Sequence, residues 1–128
     1  MSSSAPGPAV LVSIVDDDSS VRRALRRLVE SAGISAETFA SGRQAIDIGS
    51  LARAACLIID VHLGDMTGFD LQRTLVSEGT NVPVIFITAH DDGPTWDNAR
   101  RAGAIAYLAK PVDGDLLLDA IRHAVGAA

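Results

Sequence analysis

Three aspartates, a threonine and a lysine stand where apolar runs stop. Val10-Leu11-Val12-Ser13-Ile14-Val15 ends in Asp16-Asp17-Asp18, and Ala55-Cys56-Leu57-Ile58-Ile59 ends in Asp60. Pro83-Val84-Ile85-Phe86-Ile87 stops at Thr88, and Ile105 to Ala109 stops at Lys110-Pro111. An ionised carboxylate is too costly to hold inside an apolar interior, so Asp60 belongs at the end of its run, where the chain meets water. Brought together, Asp16, Asp17 and Asp60 repel one another. A hard divalent cation relieves that repulsion, and Mg²⁺ takes one or two carboxylates while keeping several waters. Lys110 adds a mobile cation and Thr88 a hydroxyl. A metal and an ammonium to neutralise oxygens, beside a carboxylate that can attack phosphorus, make a set suited to a phosphoryl group. Taken singly, each strand-end Asp reads as a helix cap, and Asp18 is best read so. The agreement of all the run ends outweighs the single readings.

Those residues need a frame that puts the ends together. Unbroken apolar runs are how strands read when helices cover both faces of their sheet. Between the runs lie helical stripes. Val21, Ala24, Leu25, Leu28, Val29 and Ala32 predict a first helix, capped by Ser19 or Asp18 and ended at Gly33. Ser35 to Ala40 is shorter and more polar, which suits an edge strand. Ser41 with Gln44 predicts a capping box and a second helix to about Ser50. Val61 to Gly68 reads as a loop. A third helix then runs to Ser77, with Leu71 and Leu75 inward. Pro94 at the favoured first position starts a fourth helix, closed by Gly103. Asp113 caps a fifth, with the stripe Leu116, Leu117, Ala120, Ile121, Ala124 and Val125. Strands alternating with helices require a parallel sheet with right-handed crossovers. Its carboxyl edge, where all four run ends gather, is where open α/β sheets bind ligands.

Composition narrows the function classes. A chain of 128 residues is one domain with a sizeable core. Residues 1–9, rich in Ser, Pro and Ala, read as a flexible tail, and residues 10–126 as the domain. A net charge of −5 argues against nucleic-acid binding within this chain, because phosphate affinity comes from Lys and Arg. The single Cys56 rules out an internal disulfide and suits a reducing cytoplasm. No stretch is long and apolar enough for a membrane helix.

Val15-Asp16-Asp17, Asp60 with Gly68 eight residues on, Thr88-Ala89 and Tyr107-Leu108-Ala109-Lys110-Pro111 together resemble the receiver domain of two-component response regulators. The resemblance runs from Val10 to about Val125. It implies a single doubly wound, flavodoxin-like α/β fold, with a five-stranded parallel sheet in the order 2-1-3-4-5 and five helices. It implies that Asp60 accepts a phosphoryl group from a histidine kinase or histidine phosphotransfer protein. Asp17, Asp60 and the backbone carbonyl of His62 would then hold Mg²⁺, with Asp16 acting mainly through bound water. Lys110 would pair with the phosphoryl oxygens, followed by a cis bond to Pro111. Thr88, Ala89 and Tyr107 would bind phosphate and switch, and the fourth helix, last strand and fifth helix would form the surface for an output partner or a homodimer. The chain would be a switch and not an enzyme. It would be either a stand-alone receiver or one cut from a larger regulator whose DNA-binding effector is not present here.

Leu63-Gly64 stands where the family usually carries Met-Pro, and losing the fixed φ of proline predicts a looser loop beside Asp60. His62 and His90, each two residues past a site residue, are expected to tune the lifetime of the phosphorylated state by shielding it from water. The three histidines show no ligand spacing, so no histidine metal site is expected. Arg22, Arg23, Arg26 and Arg27 form a basic face, either merely solvated or a kinase-docking face. Trp96 either covers Ala99 or is an anchor on the output surface. Two enzyme or cofactor classes fall behind. A phosphatase with an aspartate nucleophile of the haloacid dehalogenase type wants Asp-x-Asp, but the second position is His62. A flavodoxin-type flavin site wants a hydroxyl- and Gly-rich first loop, but Asp16-Asp17-Asp18 would repel the phosphate.

Overall fold

The computed structural model describes residues 10–48, 51–90 and 92–126. The expected tail, 1–9, lies outside the described residues. Strands β1 (Leu11–Val15), β2 (Ser35–Phe39), β3 (Cys56–Asp60), β4 (Val84–Thr88) and β5 (Ala106–Ala109) alternate with helices α1 (Ser19–Ser31), α2 (Gly42–Ile48), α3 (Gly68–Ser77), α4 (Gly93–Arg101) and α5 (Gly114–Gly126). The strands form one parallel sheet in the order β2-β1-β3-β4-β5. This is the doubly wound topology expected from the sequence, with the polar Ser35–Phe39 at an edge.

Side chains alternate across the strands, so each strand feeds two cores. Val15, Leu57, Ile59, Phe86 and Tyr107 pack with Ala45, Leu71, Leu75 and Ala99 beneath α2, α3 and α4. Val12, Ile14, Cys56, Ile58, Ile85 and Ile87 pack with Leu25 and Val29 of α1 and Leu117, Ile121 and Ala124 of α5. All five residues of β3 are buried. That double burial is why β3 lacks polar alternation until Asp60.

Local signals held with some corrections. Asp18 is the α1 N-cap, accepting from the amides of Ser20 and Val21. Ser41 accepts from Gln44 N–H, but Gln44 reaches back to the Ala40 amide, one residue before the expected partner. Helix α4 begins at Gly93 behind an Asp92 cap, so Pro94 takes the second position and not the first. A 3₁₀ turn, Leu51–Arg53, buries Leu51 and was not apparent in the sequence. Leu116 is 55% exposed; the buried line of α5 is Leu117, Ile121 and Ala124 at the i, i+4, i+7 spacing, and Leu116 falls outside it.

Cys56 is fully buried, and burial pushes its thiol up to about 12. At pH 8 only about one thiol in 10⁴ would then be thiolate, the reactive form. Native protein is expected to resist alkylation at that pH and to react at one thiol per chain once unfolded. Labelling that is as fast in buffer as in denaturant would contradict this burial.

Candidate functional site

Register brings the run ends together. Val15 pairs with Ile59, so Asp16 follows level with Asp60. Asp60 pairs with Ile87 and Thr88 with Ala109, which sets Thr88 and Lys110 on the neighbouring strand ends. Asp16 and Asp60 are buried and Asp17 is exposed, and one carboxylate oxygen from each falls within 4.8 Å of the others.

Lys110 holds the centre of this group. Its Nζ donates to Asp60 Oδ2 at 2.8 Å and lies 2.9 Å from Asp16 Oδ2. Asp60 Oδ1 accepts from the His62 amide at 3.0 Å. Asp16 Oδ1 accepts from the Asp18 amide at 2.9 Å. Asp16 Oδ2 is close to the ammonium but off the line of a hydrogen bond. Among the described residues it is the buried side-chain oxygen left without a hydrogen-bond partner. Burial raises the Asp16 carboxyl above its ordinary value, Lys110 and the Asp18 amide pull it back, and the nearby Asp60 charge adds to the rise. Burial would lower Lys110, but its hydrogen bond to Asp60 and its ion pair with Asp16 outweigh that and raise it. Three carboxylates share one ammonium. The set therefore fits a divalent cation: hard oxygens, an excess of negative charge, an unfilled buried oxygen and an exposed side.

Thr88 is fully buried and its Oγ1 accepts from the His90 amide at 2.9 Å. Tyr107 is turned inward, 7% exposed, and its hydroxyl donates to the His90 carbonyl at 3.0 Å. Both polar side chains thus hold one backbone unit, His90, from opposite ends. Ala89, between Thr88 and His90, is exposed. The indole of Trp96 lies against the Tyr107 ring at 3.8 Å between centroids, tilted 42°, and is 39% exposed. It therefore covers the tyrosine while keeping a solvent-facing side. The Lys110–Pro111 peptide is cis. The rings of His62 and His90 meet edge to face at 4.5 Å; His123 stands apart on α5.

The sequence reading missed what anchors the loop after β3. Asp65 accepts from the Gly42 and Arg43 amides at 3.2 and 2.9 Å, capping α2 from a loop more than twenty positions away. Burial would raise its carboxyl, but those amides outweigh it and hold it below the ordinary range. Thr67 and Asp70 form a reciprocal capping box on α3, a Thr-x-x-Asp pattern that could have been recognised. Gly64 has φ +84°, which proline cannot adopt. Glycine at this position thus suits a different turn, held by the Asp65 tether, by Leu63 N–H donating to Met66 O, and by the buried Leu63.

A family model for the response regulator receiver domain matches residues 12–122. The chain belongs to that family. Among curated relatives it is 43% identical over 116 residues to the response regulator protein TmoT of Ectopseudomonas mendocina, covering 90% of this chain and 52% of the relative. It is 40% identical over 117 residues to the response regulator protein TodT of Pseudomonas putida, covering 91% of this chain and 52% of that protein. The receiver thus spans about half the length of these relatives. A solved receiver protein from Burkholderia phymatum superposes with a TM-score of 0.80 at 43% identity, covering 93% of this chain and 97% of that one. Among the described residues, no helix is long and apolar enough to cross a membrane.

Proposed function

We propose that residues 10–126 are a phosphoreceiver switch in which Asp60 takes a phosphoryl group from a histidine kinase or histidine phosphotransfer protein. The observation that carries this reading is Asp60 itself, a carboxylate at the buried end of β3 with Lys110 on one oxygen and the His62 amide on the other. A carboxylate oxygen forms the new O–P bond as the bond from phosphorus to the donor nitrogen breaks, and the donor imidazole keeps that electron pair. Lys110 is placed to neutralise the phosphoryl oxygens. Asp17, Asp60 and the His62 carbonyl would hold Mg²⁺, with Asp16 acting through bound water; the ion supplies positive charge against the phosphoryl group. Nothing in this scheme turns over a substrate, so the chain acts as a switch and not as an enzyme.

Phosphorylation adds up to about two negative charges. A phosphoryl group on Asp60 offers the Thr88 hydroxyl a stronger acceptor. Donating to it requires Thr88 to rotate, which releases the His90 amide and so disturbs the carbonyl that anchors Tyr107. Trp96, lying on that ring, carries the change to the surface of α4, β5 and α5, the face proposed for an output partner or a second copy. The exposed arginines of α1, Arg23, Arg26 and Arg27, with the half-buried Arg22 beside them, would face the kinase, in the cytoplasm.

Incubation with a small acyl phosphate and Mg²⁺ tests the reading by intact mass. One phosphoryl group per chain is expected, and none once Mg²⁺ is chelated. A chain that stays unlabelled under both conditions is not a phosphoreceiver.

His62 and His90 should shield the product. Their rings meet on the two loops that border Asp60, so removing either opens a path for water. Phosphoryl loss is expected to quicken severalfold in His62→Ala and in His90→Ala. Slower loss in both variants would mean that the imidazoles assist hydrolysis.

A further inference from the structure

The sequence spacing gave no reason to expect a histidine metal site, yet the fold brings two of the three histidines into contact. His62 follows β3 and His90 follows β4, and both side chains are exposed. Their ring centroids are 4.5 Å apart and their planes cross at 72°. Both loops are fixed from the backbone side: the His62 amide by Asp60, and the His90 amide and carbonyl by Thr88 and Tyr107. The pair is thus presented by anchored backbone rather than by free loop ends.

We propose that the side chains of His62 and His90 form a two-imidazole site for a divalent transition cation, using ring nitrogens and not the carboxylates of Asp16, Asp17 and Asp60 or the His62 backbone. Two imidazoles ligating one ion at right angles, each nitrogen about 2.0–2.1 Å away, have ring centres about 4.5 Å apart. The observed centre-to-centre spacing matches that distance, and ligation requires the rings to turn from edge-to-face contact until a nitrogen of each points to a common ion. Imidazole nitrogen selects Cu²⁺, Ni²⁺ or Zn²⁺, whereas Mg²⁺ prefers the oxygens of Asp17 and Asp60. With two protein nitrogens and water in the remaining positions, Cu²⁺ binds tightest in the order of first-row divalent ions. Asp92, the α4 cap, favours cation capture nearby. An ion on this pair ties the loop after β3 to the loop after β4.

The test is titration of the full chain with Cu²⁺, with Mg²⁺ in excess to occupy the carboxylates, read by electron spin resonance. One equivalent of Cu²⁺ with splitting from two nitrogens is expected. His62→Ala and His90→Ala should each lose the two-nitrogen pattern and bind at least tenfold more weakly, while His123→Ala should match the wild type. A two-nitrogen pattern that survives in either of the first two variants, or a signal from oxygen ligands alone in the wild type, overturns the site. The readout requires no phosphoryl transfer, so it stands or falls independently of the role proposed for Asp60.

Discussion

Asp60→Asn is expected to take up no detectable phosphoryl group from an acyl phosphate under conditions where the wild type takes up one. The amide keeps the size of the carboxylate. Its single oxygen can accept from the His62 amide or from Lys110 but not in both native positions, and Lys110 keeps Asp16 as a partner. What is lost is the anionic nucleophile, because an amide oxygen is far too weak to attack phosphorus. The carboxylate also raises Asp16 through space, so its removal relieves repulsion within the site. Asp60→Asn loses the charged bond from Lys110 but relieves that repulsion, so it should still fold, which separates chemistry from folding. Lys110→Ala would be ambiguous, since it leaves Asp16 buried without its cation, a change that destabilises strongly. Mass spectrometry after digestion should place the label on the peptide containing Asp60. Label on another aspartate, or normal uptake by Asp60→Asn, would remove the assignment.

The large parts of this fold were written in the sequence because the same pattern is imposed twice. A strand buried on both faces must be apolar throughout, and β3 and β4 are; its first polar residue then marks the sheet edge. Four such marks gave the site without any distance. The parts that were hidden depend on contacts between segments remote in sequence. Nothing local ties Asp65 to α2, because its partners are the backbone amides of Gly42 and Arg43. The meeting of His62 and His90 depends on β3 and β4 being neighbours, so it follows from strand order and not from ligand spacing. Leu116 misled for a simpler reason. A helix with three consecutive leucines, Leu116 to Leu118, cannot bury all three, and only packing decides which one is left out.

Gly68→Ala is expected to cost about 2–3 kcal/mol, within the range for forcing extra carbon into a filled space. The sequence marked Gly68 only by its spacing from Asp60, and the structure supplies the physical reason. A Cβ at Gly68 would lie 2.5 Å from the Asp60 carbonyl oxygen and 2.8 Å from Ile59 Cγ2. Neither neighbour can give, because both belong to the central strand. Relief requires the start of α3 to move outward, which breaks the 2.7 Å bond from Gly68 N–H to the Val61 carbonyl and pulls on the loop carrying His62. Alanine is the better helix former by about 1 kcal/mol, so the two effects oppose, and the clash with fixed backbone wins. The unfolding temperature should fall by roughly 10 °C for a domain of this size, and phosphoryl uptake should slow because Asp60 shares the disturbed peptide. Gly33→Ala is the comparison that isolates the cause. Gly33 has φ +80° with nothing within 4 Å of a Cβ, so alanine there suffers backbone strain alone, about 1 kcal/mol. If Gly68→Ala proves no more damaging than Gly33→Ala, helix α3 can slide off the strand, and the close approach does not hold Asp60 in place.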